Sequence, residues 1–240
     1  MKKLSDLTLL QREALFKTLR ISITYHSNAI EGISLGLKET KTLLETGKTA
    51  NNKPIHEQLI ILGFAEAYDM IIREANDKSK ILDSSFIKDL HYLIFSSAQK
   101  VSPHLIQKPI GAYRIHEARI GGADIELTPP HKISQEIENL LCLFPSNHLD
   151  LEQIAKFHAL YERIHPFADG NGRTGRLLII FQCIQNDFIP PLIENDDREK
   201  YLKSLNDYQI NNDIKEFASR EFASFLEYCQ LKSLALIGEE

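Results

Sequence analysis

The chain has 240 residues, of which 43% are hydrophobic and 25% charged, and its formal net charge is −5. This is the composition of an ordinary globular protein with a hydrophobic core. The mild acidity gives no indication of a nucleic-acid or acidic-membrane partner, and no apolar run is long enough to cross a bilayer. The opening residues lack the apolar segment of a signal peptide, and the three cysteines have neither disulfide nor zinc spacing. The sequence therefore predicts a cytoplasmic protein.

The first hundred residues are predicted to be helical. Apolar residues at helical spacing indicate a long amphipathic helix over about residues 6–30, which Gly32 ends because glycine readily adopts the left-handed conformation that closes a helix. Two further helices are predicted over residues 38–45 and 59–72, and another begins after a cap at Asp83.

The segment over residues 111–130 changes character. Short stretches of alternating apolar and polar residues flank Gly121-Gly122, and two prolines follow. This pattern predicts a β-hairpin, the only β element expected. Helices resume beyond it, over residues 133–143, 151–164, from about 177, 197–208 and 213–231. The fold class predicted is mainly α.

One short segment combines a base, a carboxylate, glycines and arginines: His165-Pro166-Phe167-Ala168-Asp169-Gly170-Asn171-Gly172-Arg173-Thr174-Gly175-Arg176. The run of residues 170–172 can turn backbone N–H groups into one anion-binding nest at the start of the next helix. Asp169 is a hard oxygen ligand suited to Mg²⁺, and Arg173 and Arg176 share one helix face. His165 is close enough to accept a proton from a hydroxyl. The segment therefore predicts a nucleotide-phosphate site with its own base.

This segment resembles the signature of Fic-domain proteins, His-x-Phe-x-(Asp/Glu)-Gly-Asn-Gly-Arg-x-x-Arg, at every fixed position. The resemblance implies a helical Fic domain over residues 85–240, with the motif between two central helices and a β-hairpin flap beside it. Residues 1–84 would form an N-terminal helical extension. The activity implied is transfer of AMP from ATP to a serine, threonine or tyrosine hydroxyl of a target protein, with Mg²⁺ as cofactor.

The resemblance also implies a role for each motif residue. His165 would be the general base and Asp169 the Mg²⁺ ligand. The phosphates would lie on Gly170, Asn171, Gly172, Arg173 and Arg176, the last reaching the γ-phosphate. In a phosphate-transferring branch of the superfamily a lysine replaces the second glycine of the nest, so Gly172 favours attack at the α-phosphorus. Transfer of UMP or another nucleotide is left open.

Two features outside the motif carry weaker predictions. Tyr201 lies where relatives place an aromatic side chain near adenine, although packing between helices is an alternative reading. The flap would hold an extended target segment by β-augmentation, with Tyr113, Ile115 and Ile120 as docking residues, unless the hairpin is purely structural.

A second motif, Ser27-Asn28-Ala29-Ile30-Glu31-Gly32, resembles the inhibitory (Ser/Thr)-x-x-x-Glu-(Gly/Asn) pattern of Fic proteins with an inhibitory helix. Ser27 and Glu31 are four residues apart and so share a helix face. Glu31 also falls in the last turn, where the helix dipole disfavours an anion and a cation is expected to compensate it. We expect Arg176 to be that cation, which would keep the γ-phosphate of ATP away from it. A solvated carboxylate at a helix end is the alternative.

Other functions compete with AMP transfer. The same site could remove AMP from a protein, with Glu31 positioning a water. A metal-dependent hydrolase could use His158, His165 and Asp169, and a non-catalytic protein could bind nucleotide as a sensor. The target protein is left open by the sequence, as is self-association into a homo-oligomer.

Overall fold

The computed structural model describes residues 2–119, 125–210 and 215–238. Its regular structure is helical, in agreement with the predicted fold class. The α-helices of the described residues are α1 (Leu9–Ile30), α2 (Leu37–Thr46), α3 (Ile55–Asn76), α4 (Ser84–Val101), α5 (Ile133–Leu143), α6 (Leu151–Ile164), α7 (Asn171–Gln185), α8 (Arg198–Ile210) and α9 (Lys215–Ala235). None of these helices combines the length and apolarity that crossing a membrane requires.

The helix ends follow the local sequence. The Asp83 carboxylate accepts a hydrogen bond from the Phe86 N–H at 2.7 Å and so caps α4 as predicted. The first long helix begins at Leu9 rather than near residue 6, because a short 3₁₀ turn precedes it. Gly32 follows its last turn with a φ of 87°, a left-handed conformation that glycine adopts without steric cost.

Helices α3 and α7 organise the core. Helix α3 packs against α1, α4 and α7, and every residue of α7 except Gly172 is buried. The α3–α4 contact is very close at Gly63, where a Cβ atom would overlap the backbone oxygens of Leu93 and Ile94. Helix α7 therefore has fixed neighbours along its whole length.

One hydrophobic core joins the N-terminal helices to the rest of the chain. It includes Leu15 and Leu19 of α1 as well as Leu226 and Leu234 of α9. This packing brings the end of α1 against the start of α7. The division into an extension and a domain at residue 84 stays a prediction.

The predicted hairpin strands are absent from the described residues 111–119 and 125–129, and Ile120 and the diglycine turn lie outside the described residues. The prediction is wrong for the described part because its backbone groups pair elsewhere. The Arg114 N–H donates to the Pro166 carbonyl at 2.8 Å, and the Thr128 N–H donates to the Arg163 carbonyl at 3.4 Å. Both sides of the segment are thus attached to the end of α6 and the loop after it.

We expect Gly63→Ala to lower the free energy of unfolding by about 2 kcal/mol or more, because the added methyl group has no space between the α3 and α4 backbones. Urea denaturation followed by circular dichroism measures the change. Gly36→Ala is the matched control, since a Cβ there would meet Glu39 at an ordinary 3.7 Å. An equal loss in both variants would contradict the close α3–α4 contact.

Candidate active site

The loop between α6 and α7 is shaped by hydrogen bonds within the motif. His165 ends α6 in a left-handed conformation, with a φ of 50°, and its N–H donates to the Tyr161 carbonyl at 3.0 Å. The Asn171 side chain closes the loop from the other end: its Oδ1 accepts from the Phe167 N–H at 2.8 Å and its Nδ2 donates to the Phe167 carbonyl at 2.9 Å. The loop conformation therefore does not depend on a bound ligand.

His91, on α4, packs against the loop and is hydrogen-bonded to it. The His91 ring stacks on the buried Phe167 ring, with centroids 3.9 Å apart. His91 Nδ1 accepts from the Gly111 N–H at 2.8 Å, so Nε2 donates to the Asp169 carbonyl at 3.0 Å. Burial lowers the pKa of His91 to about 4, which keeps the ring neutral. Sequence reasoning missed His91, whose one signal was its position on the apolar face of α4.

The buried Arg114 side chain is hydrogen-bonded to the backbone at the start of the loop. Arg114 Nε donates to the His165 carbonyl at 2.8 Å, and its Nη1 donates to the His116 carbonyl at 2.9 Å. Its backbone N–H bonds Pro166, as described above. Arg114 was missed because its partners are backbone carbonyls, which no sequence pattern identifies.

The His165 ring is half-buried and has one nitrogen assigned by its surroundings. Nδ1 lies 3.3 Å from the Glu162 carbonyl oxygen. A carbonyl only accepts, so Nδ1 carries the hydrogen and Nε2 keeps its lone pair. Burial lowers the pKa of His165, with the charge of Arg114 acting in the same direction. The ring is therefore neutral at pH 7 and able to accept a proton at Nε2.

A carboxylate lies against the first turn of α7. Gly170 precedes this helix with a φ of 83° and has no side chain to cap it, and the first N–H groups of a helix have no partner within the helix. A Cβ atom at Gly172 would overlap Glu31 Oε1 and would lie 2.9 Å from Arg176 Nη1. The place where an anion is favoured is thus occupied by the Glu31 side chain.

The Arg176 guanidinium is buried and bonded to the end of α1. Its Nη2 lies 2.7 Å from Glu31 Oε1 and donates to the Ser27 carbonyl at 2.8 Å, while its Nε donates to Ser27 Oγ at 2.8 Å. Burial would raise the pKa of the Glu31 carboxyl, but the charges of Arg176, Arg173 and Arg198 hold it below its usual value. The pair expected from the sequence is therefore present and charged.

The second arginine of the motif pairs with the motif's own carboxylate. Arg173 Nη2 lies 3.0 and 3.1 Å from the two oxygens of Asp169, and its guanidinium covers the Phe95 ring at 4.7 Å from the centroid. The Asp169 side chain is 44% exposed. A carboxylate open to solvent beside a phosphate-binding turn fits Mg²⁺, which usually takes one or two carboxylates together with substrate phosphates.

Comparison with known proteins identifies a domain in this chain. Residues 81–183 match the Fic/DOC family. A Fic domain containing signaling protein from Bacteroides thetaiotaomicron superposes with a TM-score of 0.82 at 25% identity, covering 99% of this chain and 95% of that one. The chain therefore contains a Fic/DOC-family domain over residues 81–183.

Two named relatives share this family. The protein adenylyltransferase Fic of Nematostella vectensis is 31% identical over 198 residues, which are 80% of this chain and 44% of that protein. The Aedes aegypti protein of the same name is 29% identical over 218 residues, 88% of this chain and 40% of that protein. The chain thus spans less than half the length of these two relatives.

Tyr201, on α8, lies beside Arg176. Its hydroxyl is 2.8 Å from His158 Nε2 and 3.5 Å from Arg176 Nη1. Its ring is buried and packs against the rings of Phe222 and Phe225, which also contact each other. In this structure Tyr201 packs between helices, and its contact with a nucleotide base stays a prediction.

The predicted docking residues differ in their surroundings. The Tyr113 hydroxyl lies 2.7 Å from Ser84 Oγ and its ring packs against Phe167, whereas Ile115 is 70% exposed. Ile120 lies outside the described residues. Docking of a target on this segment stays a prediction.

The hydrolase alternative receives no support from the described residues. His158 is fully buried and its Nε2 is bonded to Tyr201. Among the described residues, no group of three or more histidine, cysteine, aspartate or glutamate side chains is arranged to hold a metal ion.

Proposed function

We propose that this chain is a protein adenylyltransferase that transfers AMP from ATP to a serine, threonine or tyrosine hydroxyl of a target protein. The observation that carries the proposal is the neutral His165 ring at the beginning of the loop that leads into the glycine-rich start of α7: the Glu162 carbonyl holds its Nδ1, and its Nε2 has no hydrogen-bond partner among the described residues. The name shared by the relatives from Nematostella and Aedes supports the same reaction.

The proposed reaction is a displacement at the α-phosphorus of ATP. His165 Nε2 takes the proton of the target hydroxyl, whose oxygen forms a bond to the α-phosphorus while the bond to the pyrophosphate oxygen breaks. The backbone N–H groups at the start of α7, with Arg173 and Arg176, stabilise the charge on the departing pyrophosphate. The remaining requirement is in-line positioning, which the fixed loop supplies.

Asp169 is the residue we propose to hold Mg²⁺, because its carboxylate is exposed beside this turn. When bound, Mg²⁺ neutralises charge on the phosphate oxygens. Arg173 balances part of the Asp169 charge through its contact with the carboxylate.

Gly172 supports attack at the α-phosphorus rather than transfer of a phosphate. A lysine at this position would have to pass through the space that Glu31 and Arg176 occupy. The nest therefore stays open to phosphate oxygens once Glu31 has left.

We further propose that Glu31 inhibits the enzyme by pairing with Arg176. The carboxylate bonds the Nη2 group that would meet the γ-phosphate and covers the first turn of α7. ATP and Glu31 would then compete for the same guanidinium.

The decisive experiment is incubation with α-³²P-labelled ATP, Mg²⁺ and a protein extract, followed by mass spectrometry of the labelled proteins. Label should enter the protein itself and targets as AMP on a hydroxyl side chain. Label that wild type removes on longer incubation, but Glu31→Gly does not, would instead show AMP removal that depends on Glu31. Release of free phosphate without protein labelling would contradict the proposal.

We expect Glu31→Gly to raise labelling about tenfold or more, because it frees a guanidinium from a partly buried ion pair. Initial rates across a range of ATP concentrations measure the gain. Glu31→Gln should give a smaller gain, since the amide oxygen still accepts from Arg176.

Two controls identify the cause of that gain. Adding Arg176→Ala to Glu31→Gly should reverse the gain. Ser34→Gly, which loosens the exposed chain just after α1 without touching Arg176, should leave the rate unchanged. A gain in Ser34→Gly equal to that in Glu31→Gly would show general loosening rather than release of Arg176.

In the Glu31→Gly background, His165→Ala should lower kcat about a hundredfold to ten-thousandfold, the usual contribution of a general base, while ATP affinity is kept. Activity should be lost as pH falls through a pKa below the usual 6.5 of histidine, because burial disfavours the protonated ring. A kcat/KM profile from pH 5 to 8 locates this pKa, and exposed His131→Ala is the control. A midpoint above 6.5 would contradict the assignment.

Asp169→Asn should weaken the apparent affinity for Mg²⁺ about tenfold or more, by loss of one charged oxygen ligand. The amide keeps an oxygen for the Gly170 N–H, so the loop should remain folded. Mg²⁺ titrations of the rate, and Mn²⁺ binding with ATP followed by electron paramagnetic resonance, measure the effect. Unchanged Mn²⁺ binding would show that Asp169 is not a ligand.

A further inference from the structure

Glu162 is a buried acid that the proposed reaction does not use. It lies on α6, one turn before His165, and its carboxyl group faces α7. Its Oε1 is buried and has no hydrogen-bond partner among the described residues. It lies 3.9 Å from His158 Nε2, and a Cβ atom at Gly175 would lie 2.5 Å from it. A buried carboxyl oxygen without a partner calls for an explanation, because such burial is costly.

The groups around Glu162 include one cation and a second carboxylate. Arg176 follows Gly175 on α7, and its charge and that of Glu31 both act on Glu162. The titratable neighbours His158, Tyr161 and Tyr201 are neutral at pH 7. Burial lowers the pKa of His158 to about 3, and burial raises the pKa values of Tyr161 and Tyr201. One buried guanidinium is therefore shared by two carboxyl groups, of which Glu31 makes the direct contact.

We propose that Glu162 is a positioning residue for Arg176. While Glu31, or the γ-phosphate that replaces Glu31, pairs with the guanidinium, Glu162 keeps its proton. When neither anion is there, Glu162 gives its proton to solvent and becomes the counter-charge of Arg176. This proposal rests on the proposed function in one respect, that the γ-phosphate takes the place of Glu31.

The geometry explains why a second carboxylate is needed. When Glu31 leaves, Arg176 remains in a buried position, and an unpaired buried charge is strongly unfavourable. Glu162 can lie close to α7 because Gly175 has no side chain in the space that Glu162 Oε1 occupies. Ionisation of Glu162 would keep the guanidinium in position while the N–H group that Glu31 occupied faces the incoming phosphate.

The electrostatics agree with this exchange. Burial raises the pKa of Glu162 to about 8, with Arg176 acting to lower it and Glu31 acting to raise it. Glu162 is therefore protonated at pH 7 while Glu31 is in place. Removing Glu31 removes one of the causes that raise the pKa and leaves the charge of Arg176 unopposed.

The first test measures this titration directly, without ATP. Carboxyl-¹³C NMR of glutamate-labelled protein is recorded from pH 4 to 9, and the Glu162 resonance is identified by its loss in Glu162→Gln. We expect a midpoint of about 8 in wild type and a midpoint shifted below 7 in Glu31→Gly. The same midpoint in both proteins, or a wild-type midpoint near the usual value of glutamate, would overturn the proposal.

The second test is a double-mutant cycle on unfolding by urea at pH 7. The glutamine of Glu162→Gln resembles the protonated acid, so this substitution should change the folding equilibrium constant little when Glu31 is present. In Glu31→Gly it should lower the folding equilibrium constant at least about tenfold, because the buried guanidinium then has no anionic partner. Glu152→Gln, the same change near the other end of α6, should lower the folding equilibrium constant by the same factor in both backgrounds. Equal effects of Glu162→Gln in both backgrounds would show a purely structural role.

A third measurement connects Glu162 to nucleotide binding. Calorimetry of Mg·ATP binding at pH 7, in buffers of different ionisation enthalpy, counts the protons exchanged. Glu31→Gly should take up more protons per ATP than wild type, and adding Glu162→Gln should abolish the difference. No difference between the first two proteins would overturn the proton exchange. Absence of protein labelling, by contrast, would contradict the proposed function and leave the results of the two earlier tests standing.

Discussion

The structure depends on one buried positive charge, the Arg176 guanidinium on α7. A buried cation must be paired and hydrogen-bonded, because its desolvation is otherwise costly. The end of α1 supplies the anionic group and two further acceptors through Glu31 and Ser27, and α8 supplies the Tyr201 hydroxyl. Three segments that are distant in sequence therefore meet at this side chain. The requirement that stabilises the packing of α1 on α7 is also the one that places a carboxylate where a phosphate would bind.

The loop before α7 is held by contacts that do not involve substrate. Asn171 closes it from within, His91 supports it from α4, and Arg114 bonds its carbonyl groups. The polar groups of each of these side chains are hydrogen-bonded to the backbone, so none of the three side chains is available as a reacting group. Their effect is to fix the loop backbone that carries His165, and the Glu162 carbonyl at Nδ1 sets the direction of its ring. In a reaction at phosphorus, where positioning and charge stabilisation account for most of the catalysis, this fixed direction is what the fold contributes.

The helices were predictable because their signals are local. The cap at Asp83 and the glycine after α1 act within a few residues, and the apolar periodicity of each helix is read in the same short window. The need of Glu31 for a cation could be anticipated for a related reason, since its charge lies at a helix end, whereas the choice of Arg176 followed from the resemblance to Fic proteins. His91, Arg114 and Glu162 were not anticipated, because their partners are backbone carbonyls or distant charges. The expected strands failed for a similar reason, since alternation in a short segment does not reveal that its backbone pairs with the end of α6.

Two glycines of α7 leave space for carboxyl groups near Arg176. The missing side chain at Gly172 leaves space for Glu31, and the missing side chain at Gly175 leaves space for Glu162. Glycine inside a helix is unfavourable by about 1 kcal/mol relative to alanine, so two of them in one helix indicate a compensating contact. At Gly172 the compensation is access of an anion to the first turn, whether that anion is a carboxylate or a phosphate. At Gly175 it is the close approach of Glu162, whose charge we propose to depend on the anion that pairs with Arg176. With these two glycines close to Arg176, the same helix turn can bind an anion, and the charge of Glu162 can change when that anion leaves.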